Sequence, residues 1–159
     1  MNDASRRKER SAQTGFATSS LDRRADLRDR PDEVAELRAR SDARFIVVAG
    51  ETPILLRTGA ETQTVWFDES GADGLGDGLE EVFLGLAPDN APRFGRLIDR
   101  ELLEGIREQA VLVVTDLRSV ALKRLVPKEE LGPLGEAKAL LDWHARHRCC
   151  AQCGAPTRW

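Results

Sequence analysis

The sequence predicts an α+β fold: a small mixed or antiparallel sheet with flanking helices, then a long C-terminal helix that delivers the chain into a cysteine cluster. Three observations predict it. Short β-rich runs bounded by Gly and Pro recur through the middle of the 159 residues. Apolar residues at helical spacing concentrate near the two ends. All three cysteines (Cys149, Cys150 and Cys153) fall within five residues directly after the last helical pattern.

The elements follow in order. Residues 1–15 are polar and aperiodic and are expected to form a disordered tail. A short, weak helix is expected over 21–30. Pro31 suits a first helical position, and Asp32 and Glu33 suit the positive end of a helix dipole. Val34 and Leu37 share a face, which predicts a helix over 31–40. The run Arg44–Ala49 is β-branched and closed by Gly50, and 53–57 follows as its hairpin partner. Residues 62–67 alternate as a strand. The Gly- and Asp-rich stretch 69–78 reads as a flexible loop. Residues 81–86 form a strand, Pro88, Asp89, Asn90 and Pro92 a turn, and 93–99 the returning strand. The charged stretch 100–105 suits an amphipathic surface helix, and 111–115 suits a buried strand. Leu134, Ala137, Leu140, Leu141 and His144 then repeat at helical spacing to about His147, with Gly132 and Pro133 marking the start. This divides the chain into a tail (1–15), an α+β domain (16–133) and a helix with a cysteine knuckle (134–159). One small core is within reach of this length, but not a second domain of enzyme size.

Composition narrows the function classes. The chain is 41% apolar and 32% charged with net charge −3, so no global field draws it to nucleic acid or lipid. Between Arg57 and Arg93 there is no Lys or Arg, while eight acids fall there. From Trp143 onward the sign reverses: Arg146, Arg148 and Arg158 meet no acid. No apolar run approaches the ~18 residues of a membrane span. The first residues are basic but lack the apolar core of a signal peptide. Clustered rather than spread cysteines point to a reducing compartment. A cytoplasmic protein without membrane contact is expected.

The motif Cys150-Ala-Gln-Cys153-Gly154 carries the chemistry. Two intervening residues let both sulfurs turn toward one point, and a glycine after the second allows the tight backbone of a knuckle. Zinc takes four ligands, and thiolates suit it, so this pair is half a site. His144 and His147 stand close enough in sequence to complete it. A thiol redox pair and inert thiols are the alternatives.

The stretch Ala137-Lys-Ala-Leu-Leu-Asp-Trp-His-Ala-Arg-His-Arg148, leading into Cys150, Cys153, Gly154, Ala155, Pro156 and Thr157, resembles the NADH pyrophosphatase family. Leu21-Asp-Arg23 with Leu27 and Arg28, then Phe83-Leu-Gly-Leu86, Pro92-Arg-Phe94 and Asp116-Leu-Arg118, follow the family's order, so the likeness spans roughly 16–157. It implies an N-terminal half whose last segment is half of a zinc ribbon, with Cys150 and Cys153 as metal ligands. It further implies a homodimer and a parent activity: hydrolysis of NADH or NAD+ to NMN(H) and AMP, and removal of NAD caps from RNA. Substrate and Mg²⁺ or Mn²⁺ would be met only by a Nudix catalytic domain. The departures are Cys149 where an aromatic residue is usual, Ala151 where Gly is usual, and Ser20 in place of an Asn. Ala121 follows Ser119-Val120 where some members carry a substrate-touching basic residue, so that role is not carried over.

The chain is expected to stop inside the ribbon and to hold no catalytic residue. A Nudix box needs several Glu on one helical face to hold divalent metals against a diphosphate. The nearest match, Arg100-Glu-Leu-Leu-Glu-Gly105, fails because Gly105, Pro92 and Leu86 occupy the positions of two required Glu and a required Gly. Gly74, Gly76 and Gly78 form neither a dinucleotide fingerprint nor a phosphate loop. The alternative function is a free-standing interaction module in which two chains pool Cys150 and Cys153 around one zinc.

Overall fold

Strand β1 (Arg44–Ala49) lies at the heart of the sheet, because five of its six residues are buried and both of its faces are covered. The computed structural model describes residues 15–27, 29–60 and 63–156. The expected tail falls almost wholly outside the described residues, as do Arg28, Thr62 and 157–159. The other strands are β2 (Thr52–Arg57), β3 (Gln63–Thr64), β4 (Glu80–Leu86), β5 (Pro92–Ile98) and β6 (Leu112–Val114). Their order is β3-β2-β1-β5-β4, with β6 on the other side of β2. β1 and β5 run parallel, from Arg44↔Arg93 to Ala49↔Ile98, and every other strand pair is antiparallel. The sheet is therefore mixed, within an α+β fold, as the sequence predicts.

Local chemistry explains the hairpins. β1 turns into β2 through Gly50 and Glu51, with Gly50 at φ 60°, where a side chain would be strained. The two strands pair only at Val48↔Pro53 and Ala49↔Thr52. Pro53 has no N–H to continue the ladder. Lower on the same edge of β1, Phe67 replaces β2, and Phe45 and Phe67 exchange two backbone bonds of 2.9 Å.

Alternation sorts the core into two layers. Phe45, Val47 and Ala49 face Ile54, Phe94, Ile98, Leu103 and Ile106. This side is covered by α1 (Pro31–Arg38), α2 (Glu69–Asp73) and α3 (Leu103–Arg107). Ile46 and Val48 face Leu97, Val120, Leu134, Ala137 and Leu141, on α4 (Leu117–Lys123) and α5 (Lys128–Arg146). Leu134 and Leu141 are fully buried, each contributing ~1.5–3 kcal/mol by removal from water.

Several expectations change. The described residues of 21–30 form no α-helix: a 3-10 turn covers Ala25–Leu27, and Asp22 instead exchanges two backbone bonds of 2.8 Å with Leu86. Of the expected 62–67 strand, the described residues 63–67 are regular only at Gln63–Thr64, followed by the Phe67 bridge. The expected flexible loop 69–78 begins with a helix, because Asp68 caps it through a 2.7 Å bond from the Gly71 N–H and Ala72 is buried beneath. The strand over 111–115 is shorter, and Val111 is exposed. Helix α4 was not anticipated; Asp116 caps it by accepting from the Ser119 N–H. The last helix starts at Lys128, six residues before Leu134, with Pro133 inside it. Gly132 is there for space: a Cβ would be driven into the Thr18 carbonyl oxygen.

Candidate metal centre

Helix α5 ends at Arg146, and the His147 N–H closes its last turn on the Trp143 carbonyl at 2.9 Å. The chain then folds back on itself. Cys149 bridges to Pro156, the Cys150 N–H donates to the Ala155 carbonyl at 2.8 Å, and the Gly154 N–H donates to the Cys150 carbonyl at 2.8 Å. Gly154 takes φ 68°, the left-handed conformation that closes the turn. The N–H groups of Cys153 and Gln152, together with the Cys153 thiol, hold the Cys150 thiol below its ordinary range. Amides directed at a sulfur stabilise its thiolate, the form that binds metal. Cys150 is half-buried, and Cys149 and Cys153 are exposed. The donor set fits two of the four soft ligands that zinc prefers. Zinc held there by Cys150 and Cys153 would supply structural cross-linking.

The histidines do not join the thiols. His144 is buried on the inner stripe of α5, with Nδ1 3.7 Å from the Glu80 carboxylate. Burial pushes its pKa below the ordinary value, and Glu80 opposes this. The His147 ring stacks on Trp143 at 4.9 Å between centroids, and its Nδ1 lies 2.8 Å from the Trp143 carbonyl. Among the described residues, no three His, Cys, Asp or Glu side chains are grouped so as to hold a metal ion. In the 100–105 stretch, Leu103 points into the core while Glu101 and Glu104 are exposed.

A second polar cluster was not legible as a site. Arg96, 4% exposed, pairs with Glu81 at 2.6 Å and Asp73 at 2.5 Å, and Arg38 pairs with Glu81 and Glu69, each at 2.7 Å. Both guanidiniums lie over the Phe45 ring, at 4.4 Å for Arg38 and 4.9 Å for Arg96. Beside them opens a cavity of about 380 Å³ lined by Asp73, Asp77, Glu80, Glu81 and Arg96. The signal in the sequence was an arginine at an inward strand position between Phe94 and Ile98.

A family model described as "NUDIX-like: NADH pyrophosphatase-like rudimentary NUDIX domain" matches residues 42–143. The match runs from just before β1 into the last turns of α5. No curated protein matches the chain.

Proposed function

This chain belongs to the family of NADH pyrophosphatase-like rudimentary NUDIX domains, and from that premise we propose that it is the N-terminal, structural and dimerising portion of an NAD(H) diphosphatase. The family match carries this reading. The sequence supports it in two further ways: it leads helix α5 straight into a thiol knuckle, and it contains no Nudix box. Hydrolysis of NADH or NAD+ to NMN(H) and AMP, removal of NAD caps and the need for Mg²⁺ or Mn²⁺ belong, on this reading, to a catalytic Nudix domain beside which the chain packs. The chain's own contribution is a rigid sheet-and-helix body, together with Cys150 and Cys153 as two ligands of a structural zinc. The protein acts in the cytoplasm as a homodimer.

The test is direct. The purified 159-residue protein is incubated with NADH and Mg²⁺ or Mn²⁺, and NMNH and AMP are followed by chromatography. No turnover above the metal-only blank is expected. Sustained turnover that survives repurification would overturn the reading.

A further inference from the structure

Arg44 and Arg93 open the two parallel strands at the centre of the sheet, and they are direct partners in its register. In a parallel pair, partners project to the same face. Here that is the face of Ile46 and Leu97, the side covered by α4 and α5. Trp66 packs on the same layer, and the Arg93 guanidinium lies 5.2 Å from its ring centroid. Two half-buried cations therefore stand side by side, one of them stacked on an indole.

No carboxylate closes on either guanidinium directly; Asp89 and Asp42 act on Arg93, and Asp68 on Arg44, only at longer range. Arg93 Nη1 donates to the Pro92 carbonyl at 3.1 Å, and Arg44 Nη1 donates to the Ala43 and Ser41 carbonyls at 2.8 and 3.2 Å. Neither makes an ion pair with a described carboxylate, whereas Arg38 and Arg96 on the opposite face each hold two. The nearby acids are engaged. Asp42 takes both forks of Arg40 at 2.9 and 2.6 Å, Asp89 accepts from the Ala91 N–H, and Asp68 caps α2. Burial, the largest influence, lowers the pKa of Arg93; Asp89 opposes it, the Arg44 charge lowers it further, and Asp42 adds a smaller upward pull. Adjacent half-buried guanidiniums without a direct ion pair are a poor choice for stability alone. They suit a multiply charged, tetrahedral anion, which can accept from two planar forks at once.

We propose that Arg44 and Arg93, with Trp66 fixing the plane of Arg93, form a receptor for a phosphate or diphosphate group. The receptor lies at the end of the sheet away from the knuckle, since α5 reaches Glu80 and the Leu97 end of β5 as it approaches Cys150. It stands independently of the zinc and diphosphatase readings. Free inorganic diphosphate and the diphosphate of a nucleotide share the group it recognises.

The experiment is calorimetric titration of the 159-residue protein, at low ionic strength, with sodium pyrophosphate and separately with ADP. Saturable binding is expected in at least one arm, weakened tenfold or more in Arg44→Gln and in Arg93→Gln. It should be unchanged in Arg107→Gln, an exposed arginine on the opposite side of the sheet. Tighter binding of ADP identifies a nucleotide as the source of the group, and equal binding identifies the diphosphate alone; both support the receptor. Absence of saturable binding in both arms, or binding that persists in Arg44→Gln, overturns it. If Arg93→Gln does not fold, Arg44→Gln decides by itself.

Discussion

Arg96 Nε lies 2.6 Å from Glu81 Oε1 across the β4–β5 pair, and the same carboxylate holds Arg38 Nε at 2.7 Å. One glutamate thus joins α1, β4 and β5 over the Phe45 ring. Removing one partner of a fully buried pair costs about 3–5 kcal/mol. Because Glu81 is 29% exposed, solvent screening reduces the expected loss for Glu81→Gln to about 2–3 kcal/mol. Replacing Arg96 by Met, an apolar residue of similar reach, should cost less than Glu81→Gln, because the carboxylate it releases can face solvent. Urea unfolding midpoints check both; the reverse order would show that the cluster is held by packing rather than by charge.

Glu130 reaches from the first turn of α5 to the Val65 N–H at 2.8 Å and the Thr64 hydroxyl at 3.0 Å. Burial raises its pKa above the ordinary value, and those two donors oppose the rise. The sign follows: with the folded pKa above the unfolded one, the group's contribution is full below the unfolded carboxylate range of about 4.3 and is lost as pH rises through the folded value. Stability measured upward from about pH 4 should therefore carry a falling component that Glu130→Gln removes. Glu130→Ala, which leaves the Val65 N–H without its acceptor, should cost ~1–3 kcal/mol at every pH. A wild-type-like pH profile in Glu130→Gln would contradict this.

The backbone plan was readable because β1, β5 and α5 announce themselves through runs and periodicity that no tertiary contact needs to explain. Phe45, Val47 and Ala49 belong to one layer and Ile46 and Val48 to the other by alternation alone. What escaped reading depends on partners distant in sequence. The start of α5 at Lys128 is masked in the sequence because Gly132 and Pro133 look like breakers. Gly132 instead makes room for the Thr18 backbone, and Pro133 is buried where the helix packs. Helix α2 was hidden in an acidic, Gly-rich stretch whose decisive feature is one cap, Asp68. The closeness of Cys150 and Cys153 follows from their spacing. The pairing of Arg44 with Arg93 does not, because it needs the parallel register of two strands 49 residues apart at their partners Arg44 and Arg93.

His144 gives the opposite pH dependence. Burial holds its pKa below the ordinary histidine value while the Glu80 carboxylate, 3.7 Å away, pulls it up. A histidine depressed in the folded state contributes stability above its unfolded pKa of about 6.5 and loses it as pH falls through the folded value. Melting temperatures should fall on acidification below about pH 6.5, and His144→Gln should flatten that limb. If Glu80→Gln deepens the acid loss, the carboxylate supports the ring as described; no change would mean the two groups act separately.

Two glycines on helices should respond in opposite ways to alanine. Helix propensity alone favours the change by ~1 kcal/mol. At Gly105 on α3, a Cβ meets nothing within 4 Å, so Gly105→Ala should raise stability by roughly 0.5–1 kcal/mol. At Gly132 the Cβ meets the Thr18 carbonyl, a backbone atom that cannot rotate away. Gly132→Ala should destabilise and release the Gly15–Ala17 turn from α5, seen as faster amide exchange at Phe16 and Ala17. Stabilisation at both positions would remove the packing argument.

The three thiols should separate in a metal titration. Cys149 and Cys153 are both exposed, so exposure alone does not identify the ligands. Direction does: the Gln152 and Cys153 amides support the Cys150 sulfur, and the backbone of Cys149 is paired with Pro156. Cobalt in place of zinc gives thiolate charge-transfer absorption that reports sulfur ligation. Cys150→Ser or Cys153→Ser should each lower that absorption and weaken binding at least tenfold, because loss of either sulfur leaves only one thiolate of the pair. Cys149→Ser should leave both intact. Chelation should disorder the 149–156 turn without unfolding the sheet, whose core residues lie in the strands and helices before it. If Cys149→Ser abolishes the absorption while Cys150→Ser preserves it, the ligand pair is Cys149 and Cys153, and the amide-directed knuckle is not what selects the metal-binding sulfur.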